Sequence, residues 1–344
     1  MTVHNKEGAS LEVTLRFAKS EGDDVSRLIA LMKKQHGNSY MPSFYQERWV
    51  RHGMETGEFG FVLAELADGT LAGIIGADTG CVFTGALVLI LLVVDKPLRG
   101  FGMGKILHHF ILNAKPRDTY TCIYGHCMSL DPVSQRNHIE FGYKMTGLMP
   151  NWYQFDPGAE FIAGMKLPLK HSLIIAILPK AKRDAGLLYV PEAYIPYISE
   201  KYDSLGAAYT FAEPKGSPFP QLTYTLTQSD LHRYCEIFVT EGGAAFAPVL
   251  KDTLGKYASL ERQSFTVFVS MNDPGCPAVC ALLEEQGFFF TGIHPLSGQT
   301  EYLIYHYSPT IPVPFDKIAV VKEFKKDLEW IKSLYGKEKY VQAN

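Results

Sequence analysis

The sequence has neither the cysteine content of a disulfide-rich protein nor the cysteine spacing of a zinc site. Its 344 residues include six cysteines, and no two of them form a CxxC pair. Structural zinc sites normally draw their thiolates from such closely spaced pairs, and free cysteines are usually small buried side chains. We therefore expect six reduced cysteines and no bound metal.

The chain also lacks a long hydrophobic run. Its most apolar stretch, residues 86–94, has about half the length that a membrane-spanning helix needs. The first fifteen residues carry neither the basic start nor the apolar run of a secretory signal. These absences predict no membrane segment and, by default, a cytoplasmic and reducing location.

Charge of one sign is not in excess either. The 33 basic and 36 acidic residues give a formal net charge of -3. Since nucleic-acid binding needs a positive electrostatic surface, no nucleic-acid partner is expected. The hydrophobic fraction of 47% is enough for sizeable cores, and the length favours two domains.

The order of apolar patterns predicts a mixed α/β fold with a mainly antiparallel central sheet flanked by helices. Asp68-Gly69 is a strong hairpin signal between two of the strands. The predicted strands are 11–18, 59–66, 71–78, 85–94, 119–125 and one from Tyr143 onward, and the predicted helices are 24–35, 43–54 with Ser43 as its N-cap, 103–113 and 132–141.

The second half repeats this order in outline. We place a boundary near residue 170, which gives lobes 1–170 and 171–344, and we interpret the second lobe as a degenerate internal repeat. Its predicted elements include a helix over 230–238 and a closing amphipathic helix over 316–335.

A glycine-rich turn is the most informative segment of the sequence. Gly100, Gly102 and Gly104 follow the buried strand 85–94 and precede a helix, with Arg99 and Lys105 beside them. Glycines let backbone N–H groups approach a ligand, and a helix N-terminus offers unpaired donors at the positive end of its dipole. Such a turn suits a pyrophosphate. An ordinary strand-to-helix connection has the same composition, and the spacing fits neither GxGxxG nor GxxxxGK[ST].

Two motifs in this part of the chain are similar to those of a known family. Arg99-x-x-Gly102-x-Gly104 matches the Arg/Gln-x-x-Gly-x-Gly/Ala signature of the GCN5-related N-acetyltransferase (GNAT) superfamily, with one extra residue between Val94 and Pro97. About forty residues later, the segment NHIEFGY at 137–143 resembles the family's "A-x-x-x-Y-E-K-x-G-F". The resemblance covers residues 10–170 and points to a two-lobed member with a complete first lobe.

The resemblance implies transfer of an acetyl group from acetyl-coenzyme A to a primary amine, carried by a small molecule or a peptide. It also implies that Tyr40 and Tyr45 lie in a segment that caps the acceptor pocket, although core packing explains these rings equally well. The residues expected to contact the co-substrate are Leu92, Val93, Val94, Arg99, Gly100, Phe101, Gly102, Met103, Gly104 and Lys105.

The sequence departs from the family pattern at the catalytic positions. His138 replaces the tyrosine that usually protonates the departing thiolate; it is either a general acid or a helix residue without a role. The strand 85–94 carries no acidic residue, so the proton of the amine must pass to water, His126 or Asp78, or no transfer occurs. His126 is either catalytic or a hydrogen-bonded structural histidine.

Three functions remain open at this point: an N-acetyltransferase, a non-catalytic acetyl-coenzyme A sensor, and a transferase of longer acyl chains. In the second lobe Gly242-Gly243 is the nearest remnant of the glycine turn, so no second cofactor site is expected. That lobe is expected to cover the first, to shape the acceptor cleft or to mediate association such as a homodimer.

Overall fold

A computed structural model describes residues 1–38, 40–115, 117–154, 170–180, 183–214, 222–297 and 300–335. Contacts divide the chain into two compact units. The first contains Met1–Gly125, and the second contains His126–Gln154 with the described residues from 170 onward. The proposed boundary near residue 170 puts 126–154 in the first lobe, whereas their contacts place them in the second unit.

The first unit is an antiparallel sheet with one parallel strand. Strands β1 to β5 follow one another in antiparallel order, and β6 lies parallel to β5. Its elements are β1 (Thr2–His4), β2 (Ser10–Phe17), α1 (Asp24–His36), α2 (Glu47–Glu55), β3 (Phe59–Leu66), β4 (Leu71–Asp78), β5 (Leu87–Val94), α3 (Met103–Ala114) and β6 (Cys122–Met128), the last of which continues into the second unit.

Helices cover this sheet because their apolar stripes match it. Val25, Leu28 and Met32 of α1 are buried in a core formed with β3, β4 and β5. Helix α3 presents Met103 and Leu107 to β4, where a Cβ on Gly73 would lie 3.1 Å from Leu107 Cδ1. This close approach fixes the helix, and with it the turn that precedes it, against the sheet.

The second unit contains a seven-stranded run in the order β8-β7-β14-β15-β13-β12-β11 and a separate parallel pair, β9 with β10. Its elements are α4 (Val133–Glu140), β7 (Lys144–Tyr153), β8 (His171–Pro179), β9 (Arg183–Leu188), α5 (Ile195–Leu205), β10 (Ala207–Phe211), β11 (Thr223–Ser229), β12 (Tyr234–Glu241), α6 (Phe246–Tyr257), β13 (Ser264–Ser270), α7 (Cys276–Glu285), β14 (Phe289–Ser297), β15 (Thr300–Tyr307) and α8 (Lys325–Tyr335).

The order of elements repeats. β4-β5-α3-β6-α4-β7-β8 corresponds to β11-β12-α6-β13-α7-β14-β15 along the chain. In both series the first two strands pair in antiparallel fashion, the next pair is parallel, and the last two form an antiparallel pair. The mixed α/β fold class with a mainly antiparallel sheet is confirmed.

Some predicted elements are wrong. The helix predicted over 230–238 is the strand β12, because Cys235, Ile237 and Val239 are buried between β11 and β13 and their period of two decides the structure. The closing helix begins at Lys325 rather than 316, after two short 3-10 turns, and α2 begins at Glu47 rather than at Ser43. Elements β9, α5 and β10 were not predicted.

Among the described residues, no helix has the length and apolarity that crossing a membrane requires.

Candidate functional site

The glycine turn ends in an uncapped helix. Gly102 is the N-cap residue of α3, and no side chain caps this end of the helix. Gly100 and Gly102 have φ angles of 93° and 73°, in the region that L side chains rarely adopt, and a Cβ at either position would meet no atom within 4 Å. The two glycines are therefore required by the backbone conformation, and they border open space.

The turn leaves a row of backbone donors without partners. The N–H groups of Lys105 and Ile106 bond to the carbonyl oxygen of Gly102. Within the described part of the chain, the N–H groups of residues 100–104 donate to no acceptor. Exposed N–H groups at a helix N-terminus, together with the helix dipole, favour an anion such as a pyrophosphate.

Arg99 is held beside this turn by the end of β5 and by α1. Its guanidinium donates to the carbonyl oxygen of Val94 at 3.3 Å and to Gln35 Oε1 at 2.9 Å. Gln35 in turn donates to Asp95 at 3.0 Å, and Lys34 pairs with the same carboxylate at 2.7 Å. The network fixes a positive charge at the mouth of the turn, where it adds to the field of the helix.

Strand β5 is bulged and then open along one edge. Its register with β4 shifts between Ile74 and Gly76, and Leu91 has a φ of 52°, which is the signature of one extra residue in β5. Among the described residues, its parallel pairing with β6 extends from Leu87 to Leu89. Beyond that point, an extended ligand chain has access to a strand edge, in the manner of an added β-strand.

Tyr40, Tyr45 and Asp78 lie near one another in the first unit. The backbone N–H of Tyr40 donates to Tyr45 Oη at 3.1 Å. Burial raises the pKa of the Tyr40 hydroxyl, and the nearby charge of the Asp78 carboxylate raises it further. Burial also raises the pKa of Asp78 itself, and the charge of Glu58 adds to that effect. A carboxylate with a raised pKa is a better proton acceptor than an ordinary aspartate.

His138 lies on α4 in the second unit and is buried, with 7% of its surface exposed. Its Nδ1 donates to the carbonyl oxygen of Ser134 at 2.8 Å and lies 3.4 Å from Cys127 Sγ, while its ring packs edge-on against Tyr143. Burial lowers its pKa to about 4, so the ring is neutral at pH 7.

His126 follows Gly125 along β6 and belongs to the second unit. Its side chain is exposed by accessible surface, whereas the density of protein around it lowers its pKa to about 4. His126 faces solvent, where a ligand can reach its ring. Its ring centroid is 6.1 Å from that of Trp152.

The corresponding turn of the second unit has a different structure. β12 and β13 pair in parallel from Tyr234 to Val239 without a register shift, so no edge opens between them. The N–H of Gly242 already donates to Asp273 Oδ2 at 3.1 Å, and a Cβ on Gly242 would lie 2.6 Å from Leu222. At Gly242 this turn therefore lacks both the free donor and the open space found at Gly100 and Gly102.

Comparison of the structure with solved structures finds acetyltransferases. An N-acetyltransferase from Staphylococcus aureus Mu50 matches at a TM-score of 0.40 and 17% identity, covering 49% of this chain and 98% of its own. The Vibrio cholerae spermidine N-acetyltransferase in complex with CoA and spermine matches at a TM-score of 0.39 and 16% identity, covering 48% of this chain and 94% of its own. Arabidopsis thaliana NAA60 in complex with a bisubstrate analogue matches at a TM-score of 0.37 and 14% identity, covering 48% of this chain and 97% of its own.

Each match thus covers about half of this chain and nearly all of the other. No protein-family model and no curated protein matches the sequence.

Sequence reasoning missed two parts of the site. The first is the pair Gln35 and Asp95, which links α1 to Arg99. The second is the bulge at Leu91, which lies in an unbroken apolar run without a glycine or proline to mark it. The sequence signals the first of these parts through Asp95, an acidic residue that directly follows the apolar strand.

Proposed function

We propose that the protein is an N-acetyltransferase that moves an acetyl group from acetyl-coenzyme A to a primary amine of a small molecule or peptide. The proposal rests on the backbone N–H groups of residues 100–104, which have no acceptor among the described residues. They lie at the end of a bulged strand with one open edge. A pyrophosphate joined to an extended amide-containing arm fits both features. The pyrophosphate needs N–H donors, and the arm needs a strand edge with which to pair.

The residues that would hold acetyl-coenzyme A follow from this geometry. The backbone of Gly100, Phe101, Gly102, Met103 and Gly104 would bind the pyrophosphate, and Arg99 and Lys105 would supply positive charge. The edge formed by Leu92, Val93 and Val94 would hold the extended arm. When bound, the co-substrate supplies a thioester that an amine can attack.

The chain itself would supply the remaining groups. Asp78 is the proposed acceptor of the amine's proton, with Tyr40 and Tyr45 lining the acceptor side. His138 and His126 are proposed for proton transfer to the departing thiolate. With a pKa of about 4 the His138 ring is neutral at pH 7, and its Nδ1–H is bonded to the carbonyl oxygen of Ser134, so it would pass a proton on only by taking one up at Nε2 as the Nδ1 proton leaves.

Release of free thiol tests this function. Purified protein is incubated with acetyl-coenzyme A and a panel of primary amines, and the thiol is detected by colour, with calorimetry reporting binding of coenzyme A. Amine-dependent thiol release supports the transferase. Calorimetric binding without thiol release for any amine would contradict it and favour the sensor.

The sensor, a non-catalytic protein that binds acetyl-coenzyme A, is the second candidate. It is favoured by the burial of His138 and by the absence of any acidic residue from β5.

A further inference from the structure

A cluster of aromatic rings surrounds one carboxylate in the second unit. The Trp152 ring stacks on Tyr234 with centroids 4.6 Å apart and an interplanar angle of 17°. Tyr234 and Glu236 lie two residues apart on β12 and so point to the same face of the sheet. Glu236 therefore lies against an aromatic wall built from β7 and β12.

Two hydrogen bonds orient this carboxylate. Trp152 Nε1 donates to Glu236 Oε1 at 2.7 Å, and Thr227 Oγ1 donates to Oε2 at 3.3 Å. Thr227 is the direct neighbour of Glu236 across the β11–β12 pairing. Each carboxylate oxygen has a second lone pair that these bonds leave available.

Glu236 forms no ion pair with a lysine, arginine or histidine in the described part of the chain. Burial raises its pKa to about 7, against the opposing effect of its two hydrogen bonds. Glu236 is nevertheless only half-buried as a residue, so part of it remains in contact with solvent. An oriented acid that is costly to ionise alone is stabilised by an external cation.

We propose that Glu236, flanked by Trp152 and Tyr234, binds the primary ammonium group of a small organic amine. The carboxylate accepts hydrogen bonds from the ammonium group, and the aromatic rings beside it offer an apolar surface to the alkyl part of the amine. The site lies within the second unit, and its binding does not depend on acetyl transfer.

Binding of n-butylammonium to the whole chain without coenzyme A tests the proposal. Calorimetry and the indole N–H signal of Trp152, assigned with Trp152→Phe, report binding. We expect saturable binding with a shift of the Trp152 signal, and no binding of n-butanol, its neutral analogue. Equal binding of n-butanol, or no binding of butylammonium, would overturn the proposal without any variant.

Substitution locates the site. Glu236→Gln keeps the shape and one acceptor but removes the charge, and it should weaken butylammonium binding at least tenfold. Glu241→Gln, a carboxylate on the same strand, is the matched control and should change the affinity less than twofold. Equal affinity for Glu236→Gln and the parent would refute the assignment, as would tight binding of tetramethylammonium that is insensitive to Glu236→Gln.

Discussion

Single glycines, rather than charged side chains, shape the glycine turn of the first unit. At Gly100 and Gly102 the chain adopts positive φ and leaves open space where a side chain would stand. Backbone donors can approach an anion closely only where no Cβ intervenes. Arg99 contributes charge, but its guanidinium is already engaged with Val94 and Gln35.

Gly102→Glu should abolish coenzyme A binding while leaving the chain folded, because the new carboxylate enters the anion space and repels the pyrophosphate. The left-handed backbone should cost about 1–2 kcal/mol of stability. Gly22→Glu is the matched control, since Gly22 has the same φ of 73° and no atom within 4 Å of a Cβ. Calorimetry on both variants decides: parental affinity in Gly102→Glu would place the cofactor elsewhere.

Asp78→Asn should lower the rate of acetyl transfer by about 10²–10⁴-fold at neutral pH, the usual contribution of a general base. The amide cannot accept the proton of the amine, whereas coenzyme A affinity should stay unchanged. The measurement is the pH profile of thiol release. In the parent the rate rises as Asp78 ionises, and Glu58→Gln should move that rise to lower pH because Glu58 raises the pKa of Asp78. If Asp78→Asn released thiol with the same pH profile as the parent, Asp78 would not be the proton acceptor.

At the scale of elements, two parallel strand pairs with the same place in the repeat differ in how far they pair. β5 pairs with β6 over Leu87–Leu89 and carries a bulge at Leu91, whereas β12 and β13 stay paired from Tyr234 to Val239. A strand edge that is already hydrogen-bonded cannot accept a ligand chain. The repeat therefore keeps the order of elements, but among the described residues the parallel pairing is shortened in the first unit and not in the second.

Coenzyme A should accordingly bind with a stoichiometry of one per chain. The N–H groups of residues 100–104 have no acceptor in the described part of the chain, whereas the Gly242 N–H is occupied by Asp273. Calorimetric titration measures the number of sites directly. Two sites per chain, or residual binding in Gly102→Glu, would show that the second unit also binds the cofactor.

Considered as a whole molecule, the chain buries neutral histidines in both of its units. Burial lowers the pKa to about 4 for His36 in the first unit and for His138 and His171 in the second. In the unfolded chain the same side chains titrate near 6.5. As the pH falls below about 6.5, the unfolded state takes up these protons first, so the free energy of unfolding falls until about pH 4.

The free energy of unfolding should therefore be lower at pH 5 than at pH 7, by about 2 kcal/mol for each fully buried histidine. Urea unfolding at the two pH values measures the difference. His138→Gln should reduce it by about 2 kcal/mol, and His4→Gln, on the surface, should not change it. An unchanged difference in His138→Gln would contradict the burial argument. A tenfold loss of turnover in this variant at pH 7, with the folded fraction unchanged, would show that His138 takes part in catalysis.

The sequence by itself determined the features that are encoded within a few residues. The glycine turn, the helix after it, the apolar strand before it and the Asp68-Gly69 hairpin are local, because φ preference, hydrophobic period and turn chemistry act over short stretches. The repeated order of elements was also predictable, apart from β9, α5, β10 and the strand β12.

Only the tertiary structure decided how the candidate site is assembled. It brought Gln35 to Arg99 and Asp95 from about sixty positions away, placed Asp78 near Tyr40, and buried His138 against Tyr143. It also put a bulge at Leu91 and closed the β12 edge that the repeat would otherwise open. Pairing register and burial depend on which distant residues meet, and desolvation sets pKa values only after they have met, so no local pattern in the sequence contains them.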